Sequence, residues 1–226
     1  MKTIIAIETS TDVASVALLS QSQIFKRTLA GVSTHSFGLL PAIQEILGEA
    51  QIDLRDVDAL AFGCGPGAFT GVRTACGVVQ GLAFGLDKPV LPIVSLIPMA
   101  EAARRHFNVT DVVCCLDARM NEVYSGHYQF DGMRWQLVGE LRLGPLAESE
   151  NYSFERKLPI VLGTGLTCSN PLVKCLYESP SAEFILPIAK QALFDELICS
   201  PAMAQPLYLR NKVALTTLER ESARTS

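Results

Sequence analysis

The chain has 226 residues, of which 49% are hydrophobic and 19% are charged. That much apolar material excludes a disordered chain and suits one large domain or two small lobes. Lys and Arg total 19 against 23 Asp and Glu, a formal net charge of −4, and there is no basic run. We therefore do not expect this chain to hold a nucleic acid on its own.

The first hundred residues predict an α/β lobe, because short apolar strands bounded by turn residues give way to apolar residues at helical spacing. Three strands come first, followed by alternating helices and strands, an order that is typical of α/β proteins. The predicted strands are 4–7, 13–19, 24–29, 58–63 and 89–94, and the predicted helices are 39–50, 72–86 and 98–107.

The pattern then restarts near residue 112. In the first half a strand is followed by the acid Glu8, by Asp12 four residues later and then by a second strand. The same order recurs with the acid Asp117 and, four residues later, Asn121. Polar turns between strands are common, so coincidence stays open, but the half-chain spacing favours two related lobes, 1–108 and 109–226. Downstream we predict strands over 159–162 and 184–186, helices over 171–177 and 188–198, and an extended segment over 206–210. This last segment could return to the first lobe.

The cysteines are seven in number and include no CxxC pair. The start of the chain has no secretory pattern, and no apolar run approaches the ~20 residues of a membrane span. We expect a soluble, cytoplasmic protein with reduced and mostly structural thiols.

Three short motifs allow either a phosphate contact or an ordinary turn. Glu8, Thr9 and Ser10 form a polar turn that could hold Mg²⁺ or approach a phosphate, or could simply close a hairpin. The loop 63–71 has several glycines but lacks both the Walker pattern and the dinucleotide fingerprint. The third motif, Gly163-Thr164-Gly165, follows a predicted strand and is equally compatible with a turn or a nucleotide loop.

The helix predicted over 72–86 carries Gly77, Gly81 and Gly85 at four-residue spacing. Each mid-helix glycine costs about 1 kcal/mol relative to alanine, so a stripe of them needs a reason. Close approach of another chain and close packing on the lobe's own sheet are both possible reasons. Arg73 lies in the first turn of this helix, where the helix dipole disfavours a cation. Its position indicates either an external anion or simple solvation.

Other catalytic signatures are missing from the sequence. The histidines are His35, His106 and His127, with no HxxxH or HExxH pair and no Cys/His cluster. There is also no GxSxG elbow of the serine hydrolases. We therefore expect no metal site and no cofactor.

Four stretches together resemble the bacterial TsaB (YeaZ) family: residues 4–11, 63–73, 117–124 and 206–210. The stretch 63–73, GCGPGAFTGVR, is the most specific of them. The resemblance covers nearly the whole chain and implies an ASKHA (actin/Hsp70/sugar-kinase-like) fold, that is, two RNase H-like α/β lobes with mixed sheets flanked by helices. The family's first acid is usually aspartate, whereas this chain has Glu8.

The resemblance also implies a function. The family is a non-catalytic partner in forming N6-threonylcarbamoyladenosine at position 37 of tRNAs that read ANN codons. It dimerises with the catalytic paralogue TsaD, a TsaE-type ATPase docks on that pair, and tRNA is reached only through the complex. TsaD's HxxxH metal motif has no equivalent in this sequence, where the corresponding region is 95–100.

From this resemblance we expect a partner surface on the first lobe, which also serves a homodimer when the chain is alone, and a vestigial nucleotide cleft. The expected partner surface is formed by Leu39, Leu40, Ile43, Ile46, Arg73, Gly77 and Gly81. The expected cleft residues are Glu8, Thr9, Ser10, Asp117, Gly163, Thr164 and Gly165. The alternatives are an ASKHA-type phosphotransferase, with Glu8 and Asp117 facing each other across the cleft, and a glycoprotease-like peptidase.

Overall fold

The computed structural model describes residues 2–30 and 34–210, which form two five-stranded sheets with helices on their faces. The first part of the chain contains β1 (Ile4–Glu8), β2 (Val13–Ser20), β3 (Gln23–Ala30), α1 (Thr34–Ala50), β4 (Ala59–Gly65), α2 (Phe69–Leu86), β5 (Val90–Val94) and α3 (Leu96–Phe107). The second part contains β6 (Asp111–Arg119), β7 (Glu122–Phe130), β8 (Trp135–Gly144), α4 (Leu146–Arg156), β9 (Ile160–Leu162), β10 (Cys175–Tyr177) and α5 (Ala182–Phe194).

The two sheets have the same topology. The first has the strand order β3-β2-β1-β4-β5 and the second has the order β8-β7-β6-β9-β10. In each sheet the first three strands pair antiparallel, whereas the fourth and fifth run parallel to the first. The half-chain repeat of the two acidic turns therefore reflects a duplicated β-β-β-α-β unit, and the predicted α/β fold with two mixed sheets is confirmed.

The first sheet is buried on both faces because alternate residues of its strands point to opposite sides. Ile5 and Ile7 of β1 pack against α1 and α2, whereas Ile4 and Ala6 pack against α5 on the other side. The apolar stripe of α5 packs on this second face although Pro187 lies within the helix. The prediction of a strand over 184–186 and a separate helix over 188–198 is therefore wrong, because burial of this stripe outweighs the proline's local cost.

The last helix of each half packs on the opposite sheet. Helix α3 follows β5 of the first sheet but buries Leu96, Met99 and Ala103 against β6 and β7 of the second. Helix α5 follows β10 of the second sheet but packs on the first. The strands of the first sheet precede residue 108 and those of the second follow it, but the covering helices are exchanged across that point.

Three further segments differ from the prediction. Strand β8 and helix α4 have no predicted counterpart. Residues 171–177 are a loop and the strand β10, not a helix, because Cys175–Tyr177 pairs parallel with β9. That loop brings Cys168 to a Cα separation of 6.5 Å from Cys175, and the two form a disulfide, in contrast to the reduced thiols expected there. Among the free cysteines, Cys64, Cys76, Cys114 and Cys115 are buried.

Candidate functional site

A cleft lies where the tips of the two sheets meet. The turn between β1 and β2 forms one wall and the turn between β6 and β7 forms the other. The start of α2 and residues 207–210 close the remaining sides. The cavity between these walls is open to solvent and has a volume of about 530 Å³.

Four of the seven predicted cleft residues line this cavity, namely Ser10, Asp117, Thr164 and Gly165. The other three, Glu8, Thr9 and Gly163, are buried behind it. The carboxyl groups of Glu8 and Asp117 therefore do not face each other in the cleft.

The carboxyl group of Glu8 is enclosed by its own lobe. Its Oε1 accepts a hydrogen bond of 2.7 Å from the backbone N–H of Ser10, whereas Oε2 has no hydrogen-bond partner among the described residues. A Cβ on Gly63 would lie 1.9 Å from Oε2, so this glycine makes room for the carboxyl group. Burial raises the pKa of Glu8, and hydrogen bonds from Ser10 oppose this only in part. The charged form of this carboxyl group is therefore less favoured than that of an exposed glutamate.

The glycines of the 63–71 loop allow it to pack directly on the β1–β2 turn. A Cβ on Gly67 would lie 2.5 Å from the carbonyl oxygen of Ser10, and one on Gly71 would lie 1.9 Å from that of Thr9. The Ala68 N–H donates to the Ser10 carbonyl at 2.7 Å, and the Thr9 hydroxyl donates to the Gly71 carbonyl at 2.7 Å. The loop amide of Ala68, which a phosphate would require, is therefore already bonded within the protein.

Arg119 links the two walls of the cleft. A β-bulge between Asp117 and Arg119 and a positive φ of 64° at Arg119 direct this side chain toward the first lobe. Its guanidinium lies 3.2 Å from the carboxylate of Asp117 and 3.6 Å from that of Asp12. Neither Arg119 nor Asp12 was among the residues predicted for the site. The available signal was a cation, Arg119, in the second turn and an acid, Asp12, in the first.

The segment 201–210 connects the two lobes as a strap. Its Ala204 carbonyl accepts hydrogen bonds from the Cys76 thiol at 3.4 Å and the Gln80 amide at 2.9 Å, both on α2. Further on, the Leu207 N–H donates to the Cys64 carbonyl of β4 at 2.7 Å. At its end, Arg210 bonds Glu122 at 2.6 Å in the second lobe.

Arg73 finds its partners within the chain, on this strap and on its own helix. Its Nε donates to the Tyr208 hydroxyl at 2.7 Å, and its guanidinium lies 3.7 Å from the centre of the Phe69 ring. These contacts supply the stabilisation that the helix dipole does not. An external anion is not needed to explain the position of Arg73.

The glycine stripe of α2 faces outward. A Cβ on Gly77, Gly81 or Gly85 would have nothing within 4 Å, so the stripe does not pack on the lobe's own sheet. Residues three and four apart share one side of a helix, which places further exposed residues of α1 and α2 beside the stripe. We give the name ridge surface to the exposed residues Phe37, Leu40, Gln44, Gly48, Gly77, Gly81, Phe84 and Gly85. None of these eight residues is charged, and the exposed Arg73, four residues before Gly77, lies at the end of the stripe.

Part of the predicted partner surface on α1 is buried in the structure. Leu39, Ile43 and Ile46 are at most 2% exposed, because they fill the core between α1 and the first sheet. Their side chains are therefore not available to a partner. The apolar residues that α1 leaves at the surface are Leu40 and Phe37, the latter 84% exposed.

The described residues offer neither a cluster of metal ligands nor a helix that could span a membrane. Within residues 2–30 and 34–210, no three His, Cys, Asp or Glu side chains are grouped so that they could hold a metal ion. No helix in the same ranges combines the length and apolar character needed to cross a membrane.

The duplicated topology and the cleft between the lobes define a two-lobed protein of the ASKHA class, in which Glu8, the acid that ends the first strand, is buried. Residues 14–159 match the family model of TsaD, tRNA N6-adenosine threonylcarbamoyltransferase. The chain is 37% identical to the tRNA threonylcarbamoyladenosine biosynthesis protein TsaB of Haemophilus influenzae, covering 93% of this chain and 94% of that protein. The corresponding Escherichia coli K12 protein is 36% identical, with 93% and 96% covered.

The solved structure of YeaZ from Pseudomonas aeruginosa superposes with a TM-score of 0.81 at 37% identity, covering 92% of this chain and 100% of that one. The chain therefore belongs to the TsaB (YeaZ) family, as the sequence motifs indicated.

Proposed function

We propose that this chain is a non-catalytic partner subunit in the formation of N6-threonylcarbamoyladenosine on tRNA, and that it binds a TsaD-type catalytic subunit through the ridge surface. The observation that carries the proposal is the exposed glycine stripe of α2. Exposed mid-helix glycines cost about 1 kcal/mol each relative to alanine. Nothing within 4 Å of Gly77, Gly81 or Gly85 offsets that cost inside this chain. A partner helix that approaches the bare backbone would offset it.

The composition of the ridge surface supports the same proposal. The buried centres of protein interfaces are depleted in charge and enriched in aromatic residues. The ridge surface is uncharged and has two protruding aromatic side chains, Phe37 and Phe84, of which Phe84 is 82% exposed. Aromatic anchors of this kind often contribute much of the binding energy.

The catalytic paralogue is the partner that best fits this surface. The names of the curated relatives place them in threonylcarbamoyladenosine biosynthesis, and residues 14–159 match the model of the transferase itself. A paralogue of similar fold can present an equivalent pair of helices, and so can a second copy of this chain. We therefore propose that a homodimer and the TsaD heterodimer compete for the ridge surface. A TsaE-type ATPase and tRNA position 37 of ANN-reading tRNAs would then be reached through the heterodimer.

The enclosure of Glu8 argues against the phosphotransferase alternative. In that alternative Glu8 and Asp117 face each other across the cleft, where they would position Mg²⁺ and activate a hydroxyl group. Here Glu8 is fully buried and Asp117 is held by Arg119. No observation in the described residues favours the peptidase alternative. The cleft is better explained as the remnant of a nucleotide site that now joins the lobes.

The proposal is tested by measuring whether the chain forms a heterodimer with a TsaD-type subunit. The purified chain, a TsaD-type subunit and their mixture are compared by light scattering, and ATP hydrolysis is measured for the chain alone. We expect a heterodimer in the mixture and no ATP hydrolysis above the blank. A mixture that stays unpaired contradicts the proposal, as does turnover by the chain alone near about 1 per second, the low end of typical enzymes.

A further inference from the structure

A cluster of basic side chains lies at the end of α4 in the second lobe, away from the cleft and the ridge surface. Four exposed cations, Arg142, Arg156, Lys157 and Lys174, have no carboxylate oxygen within 4 Å in residues 2–30 and 34–210. Many other cations of the described chain are paired with acids, including Arg27, Arg104 and Arg210. In a chain of net charge −4 this cluster is a local exception. We call these four residues the α4 patch.

The fold brings the α4 patch together from three elements. Arg156 and Lys157 end α4, and Arg142 lies on the neighbouring edge strand β8. Lys174 precedes β10, and its carbonyl accepts a hydrogen bond from the N–H of Ile160, three residues after Lys157. The four cations are therefore separated in sequence but share one end of the second lobe.

Tyr152 holds two of these cations in place. The guanidinium of Arg156 lies 4.1 Å from the centre of the Tyr152 ring, and that of Arg142 lies 5.6 Å from it. The Tyr152 hydroxyl is bonded to His127 at 3.0 Å, and His127 is bonded to Asp111 at 2.6 Å. These hydrogen bonds hold the Tyr152 ring in position, and both guanidiniums lie beside it. Such fixed arginines lose less side-chain entropy when they bind an anion.

A helix end accounts for only part of this arrangement. Cations in the last turn of a helix interact favourably with its dipole, by about 0.3–1 kcal/mol. That effect applies to Arg156 and Lys157, but Arg142 and Lys174 lie outside α4. Arg142 shares a small pocket with the carboxylates of Glu140 and Glu148. We therefore place the main anion contact at the other end of the patch, at Arg156, Lys157 and Lys174.

We infer that the α4 patch contacts the phosphate backbone of the tRNA directly when the chain is assembled with its catalytic partner. This inference rests on the proposed function, which makes tRNA the polyanion present in the complex. Several unpaired cations beside a fixed aromatic ring are typical of a surface that contacts nucleic-acid backbone without reading sequence. The patch would position the tRNA, and base recognition would lie elsewhere in the complex.

Salt dependence provides the test. Each phosphate contact contributes about 0.7–0.9 to the slope of log affinity against log salt concentration. An unmodified tRNA transcript is titrated with the complex of this chain and a TsaD-type subunit over a range of salt concentrations. The double variant Arg156→Gln/Lys157→Gln is expected to make the slope shallower by about 1.5 and to weaken binding about 10- to 30-fold at 0.1 M salt. The matched control, Arg55→Gln/Lys190→Gln, removes two other unpaired cations and is expected to match the wild type.

Light scattering on each variant separates this inference from the proposed function. The double variant is expected to pair with the catalytic subunit as the wild type does. An unchanged salt slope in a complex that pairs normally overturns the inference. Loss of pairing in the double variant also overturns it, because the patch would then bind protein. If the wild type itself does not pair, the proposed function fails, and the same titration on the chain alone at high concentration still tests the patch.

Discussion

Substitution of Gly81 by alanine should move stability and pairing in opposite directions. Gly81 lies in the middle of α2, and a Cβ built there has no atom within 4 Å. Replacing glycine by alanine in an exposed helix interior adds about 0.8–1.0 kcal/mol of stability. For a chain of this size, 1 kcal/mol raises the melting temperature by about 2–4 °C. The isolated monomer should therefore become more stable.

Pairing should weaken in the same variant. If a partner backbone lies against the bare glycine, the added methyl group overpacks that contact, at a typical cost of about 1–3 kcal/mol. This corresponds to a roughly 5- to 150-fold loss of affinity. Gly81→Leu adds more bulk and should abolish both the homodimer and the heterodimer while the monomer stays folded. Lys190→Leu is the matched control, because it adds the same side chain to α5 on the other face of the first sheet.

Calorimetry, circular dichroism and light scattering measure the two effects on the same samples. A Gly81→Ala chain that is stabilised but pairs with unchanged affinity would show that the ridge is not the contact. A destabilised Gly81→Ala chain would contradict the exposure of the stripe itself.

Three further substitutions test contacts within the chain. Because the pKa of Glu8 is raised, its contribution to stability is lost as pH rises above the ordinary value of 4.5, so Glu8→Gln should raise the melting temperature at pH 7 and change it little at pH 4. A lower melting temperature at pH 7 would contradict this reasoning. Burial raises the pKa of Glu101, but bonds from two arginines and from Trp135 outweigh it and hold that pKa low, so stability should fall as pH drops below 4.5. Glu101→Gln should cost about 1.5–3 kcal/mol, the range of hydrogen bonds to charged groups, because its arginine partners are partly exposed, and it should shift the Trp135 fluorescence. A loss under about 1 kcal/mol in urea unfolding would contradict the network. Arg73→Ala should increase hydrogen exchange around Tyr208 by loosening the strap, with unchanged exchange as the opposing result.

The duplicated strands could be predicted from sequence because their signals are local. Buried strands such as β1 and β6 are short apolar runs that end at acidic turns, and the two turns repeat at half-chain spacing. Strand β8 lacks such a signal because it is a largely exposed edge strand with an irregular register against β7. Pro187 marks a break in the local pattern, and only the packing of α5 on the first sheet shows that the helix continues.

The site was harder to predict because exposure is a tertiary property. An apolar stripe such as that of Leu39, Ile43 and Ile46 has the same spacing whether it faces a core or a partner. The glycine stripe of α2 was visible in the sequence. Whether it packs on its own sheet or faces outward could be decided only from the atoms within 4 Å of a Cβ built on each glycine. The exchange of α3 and α5 between the sheets and the reach of Arg119 to Asp12 depend on long-range topology, which no local pattern encodes.

The central claim is that this chain acts by pairing with the catalytic subunit and supplies no catalytic group of its own. The direct measurement is the rate of N6-threonylcarbamoyladenosine formation on an ANN-reading tRNA, reconstituted with an activated threonylcarbamoyl donor, ATP, a TsaD-type subunit and a TsaE-type ATPase, with this chain wild type, varied or omitted. We predict formation with the wild type and with Glu8→Gln, and none with Gly81→Leu or without the chain. Equal rates with and without the chain, or loss of the product with Glu8→Gln in a complex that still pairs, would contradict the account.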